Sequence, residues 1–314
     1  MHAADRLPSF TEDNGLAAVK LVASDMDFTL LADDGTMPPD MAELIDALTG
    51  AGAVFCAASG RPTYTLRDMF PAHSGDMAFI ADNGAAVSYR NETVFKSLIS
   101  PADYHELIDV TLAETDGVPV LCGMDRAYVL ARDRVHDAKI RTYYHAITYL
   151  ETFDSIDVEA NKYTILFPKN DSMPHYKHLM GPRFGERFSV TCAGVEWIDV
   201  MNKGVDKGTG IERLCARLGI SPADVAAFGD TDNDAQMLST AGHSFLMANG
   251  QERMRPYARY EAPSNNDRGV ATVIRAILEA KNRWRPSISH EPAHFVHSPA
   301  VNQHVSYIQR HLNE

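Results

Sequence analysis

Residues 19–36 read VKLVASDMDFTLLADDGT. Val19–Ser24 is an almost uninterrupted apolar, β-rich run. It predicts a strand buried on both faces, the kind found in parallel sheets. The run ends in Asp25, and a second acid, Asp27, follows two residues later. Packing gives no reason to send two carboxylates out of the end of a buried strand, so their position asks for chemistry.

The segments around this strand alternate. PPDMAELIDALTGAG places Met41, Leu44, Ile45 and Leu48 at helical spacing, with Pro38 and Pro39 near the start and Gly50 and Gly52 at the stop. AVFCAASG predicts a second strand, TYTLRDMF a helix, and DMAFIADNG a third strand. The alternation returns late, with DKGTGIERLCARLG, DVAAFGD, DAQMLSTAG, HSFLMAN and DRGVATVIRAILEAK as helix, strand, helix, strand, helix. Strands separated by crossover helices predict a parallel sheet covered on both faces. The expected architecture is α/β, a Rossmann-like core over 19–97 and 193–282. An α+β insertion is expected over 98–192, where PADYHELIDVTLAET reads as helix and RAYVLA, KYTILFP and FSVTCAG as strands. Residues 1–18 read as a polar extension. In the tail, 283–314, a Pro/His/Ser-rich stretch over 284–299 precedes a helix that starts at Ser298-Pro299 and carries a stripe of Val301, Val305, Ile308 and Leu312.

Composition bounds the function. The 314 residues are 45% apolar and 23% charged, ordinary for a globular protein, and the net charge is −13. That balance argues against nucleic acid or a membrane surface as partner, since both demand basic faces. It leaves room for a small anion held at one local positive site. Cys56, Cys122, Cys192 and Cys215 form no C-x-x-C pair and read as small buried hydrophobes. The first residues lack the pattern of a signal peptide, and no run approaches the ~18 apolar residues of a membrane span. The expected compartment is the cytoplasm.

In open parallel sheets, function gathers at the carboxyl ends of the strands. There the sequence offers Asp25 and Asp27, then Ser59-Gly60-Arg61, then Asp82-Asn83-Gly84, and late Gly229-Asp230-Thr231-Asp232-Asn233-Asp234, with Lys207 opening the helix before this last strand. Asp25 and Asp230 are hard oxygen ligands suited to Mg²⁺. A carboxylate such as Asp25 can attack phosphorus, and Asp27 can protonate the leaving oxygen and then activate water. The Ser59 hydroxyl, the Gly60 N–H and the Lys207 ammonium can bind phosphate oxygens.

These residues carry a resemblance. DMDFTLL, ASGRP, KGTGIERL and FGDTDND resemble the four ordered motifs of the haloacid dehalogenase superfamily. Together with ADNGA, MANG and APSNNDRGVA they resemble its Cof-type branch of Mg²⁺-dependent phosphatases, over roughly residues 19–282. The resemblance implies that the insertion is a cap domain. It implies that Asp25 is nucleophile and metal ligand, and that Asp27 is acid/base and lends its backbone carbonyl to the metal. It further implies that Thr29 holds the loop, that Ser59 and Lys207 bind phosphate, and that Asp230 is a metal ligand. Asn233 would contact substrate or phosphate, Asp234 would support the metal waters or Lys207, and Arg61 and Asn83 would line the site. The family usually has glycine after the second Asp, where this chain has Phe28, a bulky side chain that narrows the site or points toward the cap.

The implied activity is Mg²⁺-dependent hydrolysis of a small phosphomonoester through an aspartyl-phosphate, with sugar phosphates as the substrate class. Nucleotide, flavin mononucleotide and pyridoxal phosphate stay open. The alternatives are a phosphometabolite-binding regulator with negligible turnover and a phosphoryl transferase to a sugar acceptor. Either a monomer or a homodimer is compatible. Other conspicuous residues have plainer readings. Asp33 and Asp34 read as a solvated turn, Asp232 as an exposed loop residue, Lys203 as a surface charge, and Trp197 as core or hinge packing ahead of a ligand-stacking aromatic. His290, His294, His297, His304 and His311 leave a metal site conceivable, but their irregular spacing, partly on an extended segment, disfavours it.

Overall fold

A computed structural model of the protein describes residues 6–281. The run read as a strand forms β1 (Leu21–Ser24), buried at every position. It is joined on one side by β2 (Val54–Ala58) and β3 (Ala78–Ala81), both parallel to it. The helix Met41–Gly50 crosses from β1 to β2 and buries Met41, Leu44, Ile45 and Leu48, the four residues its spacing singled out. Beyond β3 the direction reverses into β4 (Ala86–Tyr89) and β5 (Glu92–Lys96). The sequence reading has no counterpart for this hairpin. Its turn, Arg90-Asn91, takes two positive φ angles, 49° and 64°, without the glycine or proline that usually marks a turn.

The chain then builds a second sheet from β6 (Val118–Gly123), β7 (Ala127–Leu130), β8 (Ile147–Leu150), β9 (Ala160–Leu166), β10 (Phe188–Ala193) and β11 (Trp197–Asn202). Their order is β10-β11-β9-β6-β7-β8. Side chains alternate between its faces, as the pleat requires. On one face Leu121, Tyr163, Ile165 and Ile198 pack with Tyr104, Leu107 and Ile108 of the helix Pro101–Glu114. On the other, Val120, Cys122, Val129 and Trp197 pack with Tyr144. The insertion does not end at 192. That boundary falls inside β10, and β11 pairs antiparallel with both β10 and β9. The apolar run of β11, buried over Trp197–Met201, keeps the chain in this sheet to Asn202.

After the helix Lys207–Leu218 the chain re-enters the first sheet through β12 (Val225–Gly229), β13 (His243–Met247) and β14 (Tyr260–Ala262), all parallel, on the far side of β1. The eight strands run β14-β13-β12-β1-β2-β3-β4-β5. The expected N-terminal extension is not free where it is described. Leu16 enters the core, the Asp13 carboxylate pairs with His243 at 2.6 Å, and the Glu261 N–H donates to the Pro8 carbonyl. All four cysteines are free, three of them buried. Among the described residues no helix is long and apolar enough to cross a membrane. The expected tail stretch and its helix lie outside the described residues.

Candidate active site

β1 has β12 on one side and β2 on the other, because the chain winds outward in opposite directions from it. A crevice opens at such a switch point, beyond the carboxyl ends of the strands. Asp25 stands there. Its N–H still donates to Phe228 of β12, at 3.0 Å, and then the chain leaves the sheet. It turns at Phe28, whose φ of 60° and ψ of 8° are left-handed. Glycine adopts this conformation at no steric cost, which explains why it is the usual residue there. In this chain Asn249 holds the turn, donating to the Phe28 carbonyl at 2.7 Å, and Asn265 donates to the Leu31 carbonyl at 3.0 Å. Motif residues of MANG and APSNNDRGVA therefore brace the Asp25 loop, a role the sequence reading did not assign.

Lys207 is the first residue of its helix. Asp206 caps that helix by accepting the Thr209 N–H at 2.8 Å, while the Thr209 hydroxyl accepts the Asp206 N–H at 3.2 Å. A cation at a helix N-terminus opposes the dipole, so its position has another cause. The fully buried ammonium donates to Asp25 Oδ1 at 2.5 Å and to Asp234 Oδ1 at 2.7 Å. Burial pulls the Lys207 ammonium down, but the charges of Asp234 and Asp25 outweigh it and hold it charged. Asp234 spends its other oxygen on the N–H groups of Asp230 and Thr231, at 2.9 and 3.2 Å. Of the two roles the resemblance allows it, the geometry matches support of Lys207. Thr29 donates to Asp230 Oδ1 at 3.2 Å, orienting that carboxylate as well as closing its own loop.

The acids Asp25, Asp230 and Asp234 are buried, with carboxylate oxygens within 4.8 Å of one another. Burial raises the Asp25 carboxyl well above the ordinary range, against the pull of Lys207, and the neighbouring Asp234 and Asp230 reinforce it. Asp230 is pushed up to about 6, by burial first and then by Asp234. Three buried carboxylates share one ammonium, so with all of them ionised the cluster carries two uncompensated negative charges. Its donors are hard oxygens. Charge and donor type both fit a small divalent cation such as Mg²⁺.

Ser59, Gly60 and Arg61 follow β2. Ser59 accepts the Arg61 N–H at 3.2 Å, which leaves the hydroxyl proton free for an acceptor. Arg61 does more than line the crevice. It grips Asp27 with two hydrogen bonds, of 3.0 and 2.7 Å, donates to the Thr142 carbonyl, and lies 5.0 Å from the Tyr143 ring. After β3, Asp82, Asn83 and Gly84 all have positive φ. Asn83 accepts from Asn233 at 3.2 Å. Asp25, Asp27, Ser59, Gly60, Arg61, Asn83, Asp230 and Asn233 thus face one cavity of about 200 Å³, with Lys207 and Asp234 beneath its acids. Lys203 is exposed, and Asp232 pairs at the surface with Arg253.

The opposite wall comes from the second sheet. Lys162 and Thr164 of β9, Trp197 and Asp199 of β11, and Tyr143 and Tyr144 line it. The sequence reading missed most of these; it read Trp197 as packing, and Trp197 does pack in the buried cluster with Val120, Cys122 and Tyr144 while also lining the cavity. The pleat period of two along KYTILFP and WIDVMN was the available signal, but it does not say which face meets the crevice.

Residues 22–274 match the model of the haloacid dehalogenase-like hydrolases. The chain is 31% identical over 265 residues to the 5-amino-6-(5-phospho-D-ribitylamino)uracil phosphatase YbjI of Escherichia coli (strain K12), covering 83% of this chain and 97% of the relative. It is 24% identical over 273 residues to YitU of Bacillus subtilis (strain 168), a phosphatase named for the same compound, covering 81% of this chain and 96% of the relative. The solved structure of SMU.1108c from Streptococcus mutans UA159 matches with a TM-score of 0.75 at 26% identity, over 83% of this chain and 99% of that one.

Proposed function

The chain belongs to the haloacid dehalogenase-like hydrolases, in their Cof-type branch, and from that premise we propose that it hydrolyses a small phosphomonoester through an aspartyl-phosphate on Asp25. The phosphatases among its relatives support the reaction class, a phosphoric monoester hydrolase. The observation that carries the residue assignment is the buried Asp25 carboxylate at the switch point, beside Lys207 and Asp230, in the cavity that Asp27 and Ser59 also face.

In this reading Ser59, the Gly60 N–H and Lys207 hold the phosphate oxygens, with Asn83 and Asn233 at the rim. Asp25, Asp230 and the Asp27 carbonyl would hold Mg²⁺, which would offset the repulsion between the acids and the phosphate dianion. Asp25 attacks phosphorus. The bond to the leaving oxygen breaks, and Asp27 supplies that oxygen with a proton. Water then attacks the acyl phosphate, Asp27 takes its proton, and phosphate leaves with Asp25 restored. Asp27 is paired with Arg61 at rest, so the pair must open first. An arriving singly protonated phosphate monoester competes for the guanidinium, and the freed Asp27 carboxylate takes up that proton before it acts as the acid. The second sheet serves as the cap and excludes water from the acyl phosphate.

The test is phosphate release from a panel of phosphorylated metabolites, with Mg²⁺, with EDTA, and with Asp25→Asn. Asparagine keeps an acceptor for Lys207 and removes the nucleophile. The expected result is Mg²⁺-dependent release that falls at least ~10³-fold in the variant, with thermal unfolding little changed. Release retained by Asp25→Asn would sink the nucleophile assignment.

A further inference from the structure

Phe28 stands where glycine usually follows the second Asp, and its backbone is left-handed, with φ 60° and ψ 8°. A bulky aromatic side chain at such angles is an outlier, in a conformation that glycine adopts without strain. The other described non-glycine residues with positive φ are aspartate, asparagine and arginine. Strain of this kind persists only where the surroundings enforce it, and it gathers at functional sites. Here Asn249 enforces it from another loop, through its hydrogen bond to the Phe28 carbonyl.

The fold gains little packing in return. Met26, Thr29 and Leu30 of the same turn are buried, whereas Phe28 is 54% exposed. It belongs to none of the buried apolar clusters. Among the described residues its ring stacks on no other ring. What Phe28 does face is the cavity, which it lines together with Asp27 and Ser59. Asp27 is its neighbour in the chain, so the ring borders the space just beyond the ester oxygen that Asp27 protonates. Apolar surface left in water gains free energy when the C–H groups of a ligand cover it.

We propose that Phe28 is a specificity-determining residue on the catalytic loop of the core. Its ring lies against the carbon chain directly beyond the ester oxygen, and it selects phosphomonoesters that carry C–H surface there over compact ones. This rests on the phosphatase reading only for the end of the cavity that takes the phosphate.

The test uses the full chain with Mg²⁺ and two phosphonates, methylphosphonate and propylphosphonate, whose C–P bond replaces the ester bond and resists hydrolysis. Binding is read by calorimetry. A propyl chain is short, so it reaches only what borders the phosphate end. Wild-type protein should bind propylphosphonate about tenfold more tightly, as two further methylenes allow. Phe28→Ala should cut that preference to about twofold and leave methylphosphonate affinity nearly unchanged, a split that a general loosening of the Asp25 loop would not give. Phe28→Leu, which restores an apolar side chain, should keep most of the preference. Phe28→Gly should match Phe28→Ala in binding and melt about 2 °C above it, since both lack the ring and only alanine keeps the strained backbone. Equal wild-type affinities, no binding of either phosphonate, or a preference that survives in Phe28→Ala overturns the proposal. So does a wild type that melts above Phe28→Gly, which would assign the ring to packing. The phosphatase reading fails separately, by phosphate release that is absent or that survives Asp25→Asn, and the phosphonate result stands in either case.

Discussion

Asp230 sits among other charges that the fold has taken out of water. Burial and the nearby Asp234 push its carboxyl up to about 6, from an ordinary value of 3.8. The folded state therefore holds this proton more tightly than the unfolded chain does. The stability it lends is fully present below about pH 4 and is lost as pH rises through 6. The tighter hold on that proton amounts to about 3 kcal/mol. Metal-free protein in EDTA should accordingly show a falling melting temperature from pH 4 to 7. Asp230→Asn should flatten that slope, and Mg²⁺ should stabilise the wild type more at pH 7 than at pH 5. A melting temperature that ignores Mg²⁺ at pH 7 would count against a cation in this cluster.

Among the elements, the turn after β3 abuts the start of the Lys207 helix. Gly84, at a φ of 100°, lies against the carbonyl of Asp206, the residue that caps the Lys207 helix. A Cβ at position 84 would collide with that oxygen, and the backbone angle is one that L residues rarely adopt. Gly84→Ala should cost about 3 kcal/mol in urea unfolding, overpacking and backbone strain together. It should also lower turnover, because the only relief moves the start of the helix. A neutral Gly84→Ala would mean that the two elements do not abut as described. The same economy appears at Phe28, where a left-handed residue without glycine's freedom is held by Asn249.

At the scale of the molecule, the two sheets are tied by charges buried between them. Lys162 of β9 is 2% exposed. It donates to the Gly60 carbonyl at 2.7 Å and pairs with Asp82 at 3.0 Å, while Asn161 donates to the other Asp82 oxygen at 2.8 Å. Arg61 makes a second tie, through Thr142. Removing one partner of a buried pair strands the other. Lys162→Met should therefore destabilise by about 3–5 kcal/mol, and combining it with Asp82→Asn should cost clearly less than the sum of the single changes. Additive losses would show that the pair is not coupled.

The core half of the site was legible in one dimension. Asp25, Ser59, Asn83 and Asp230 each end an apolar run, and the end of such a run marks the rim of a parallel sheet whatever the rest of the chain does. Lys207 was found in the same way, as the opening residue of an amphipathic helix. These are short-range patterns, written by burial on both faces of a strand or on one face of a helix. The pairing of Arg61 with Asp27 had no such signature. Nor did membership of β11 in the second sheet, or the meeting of Lys162, Thr164, Trp197 and Asp199 opposite the acids. Those depend on which strands lie side by side and in what register, contacts between residues far apart in the chain. Periodicity could say that Trp197 and Asp199 share a face. That this face closes over the acids follows from the packing of the two sheets and from the buried charges that hold them together.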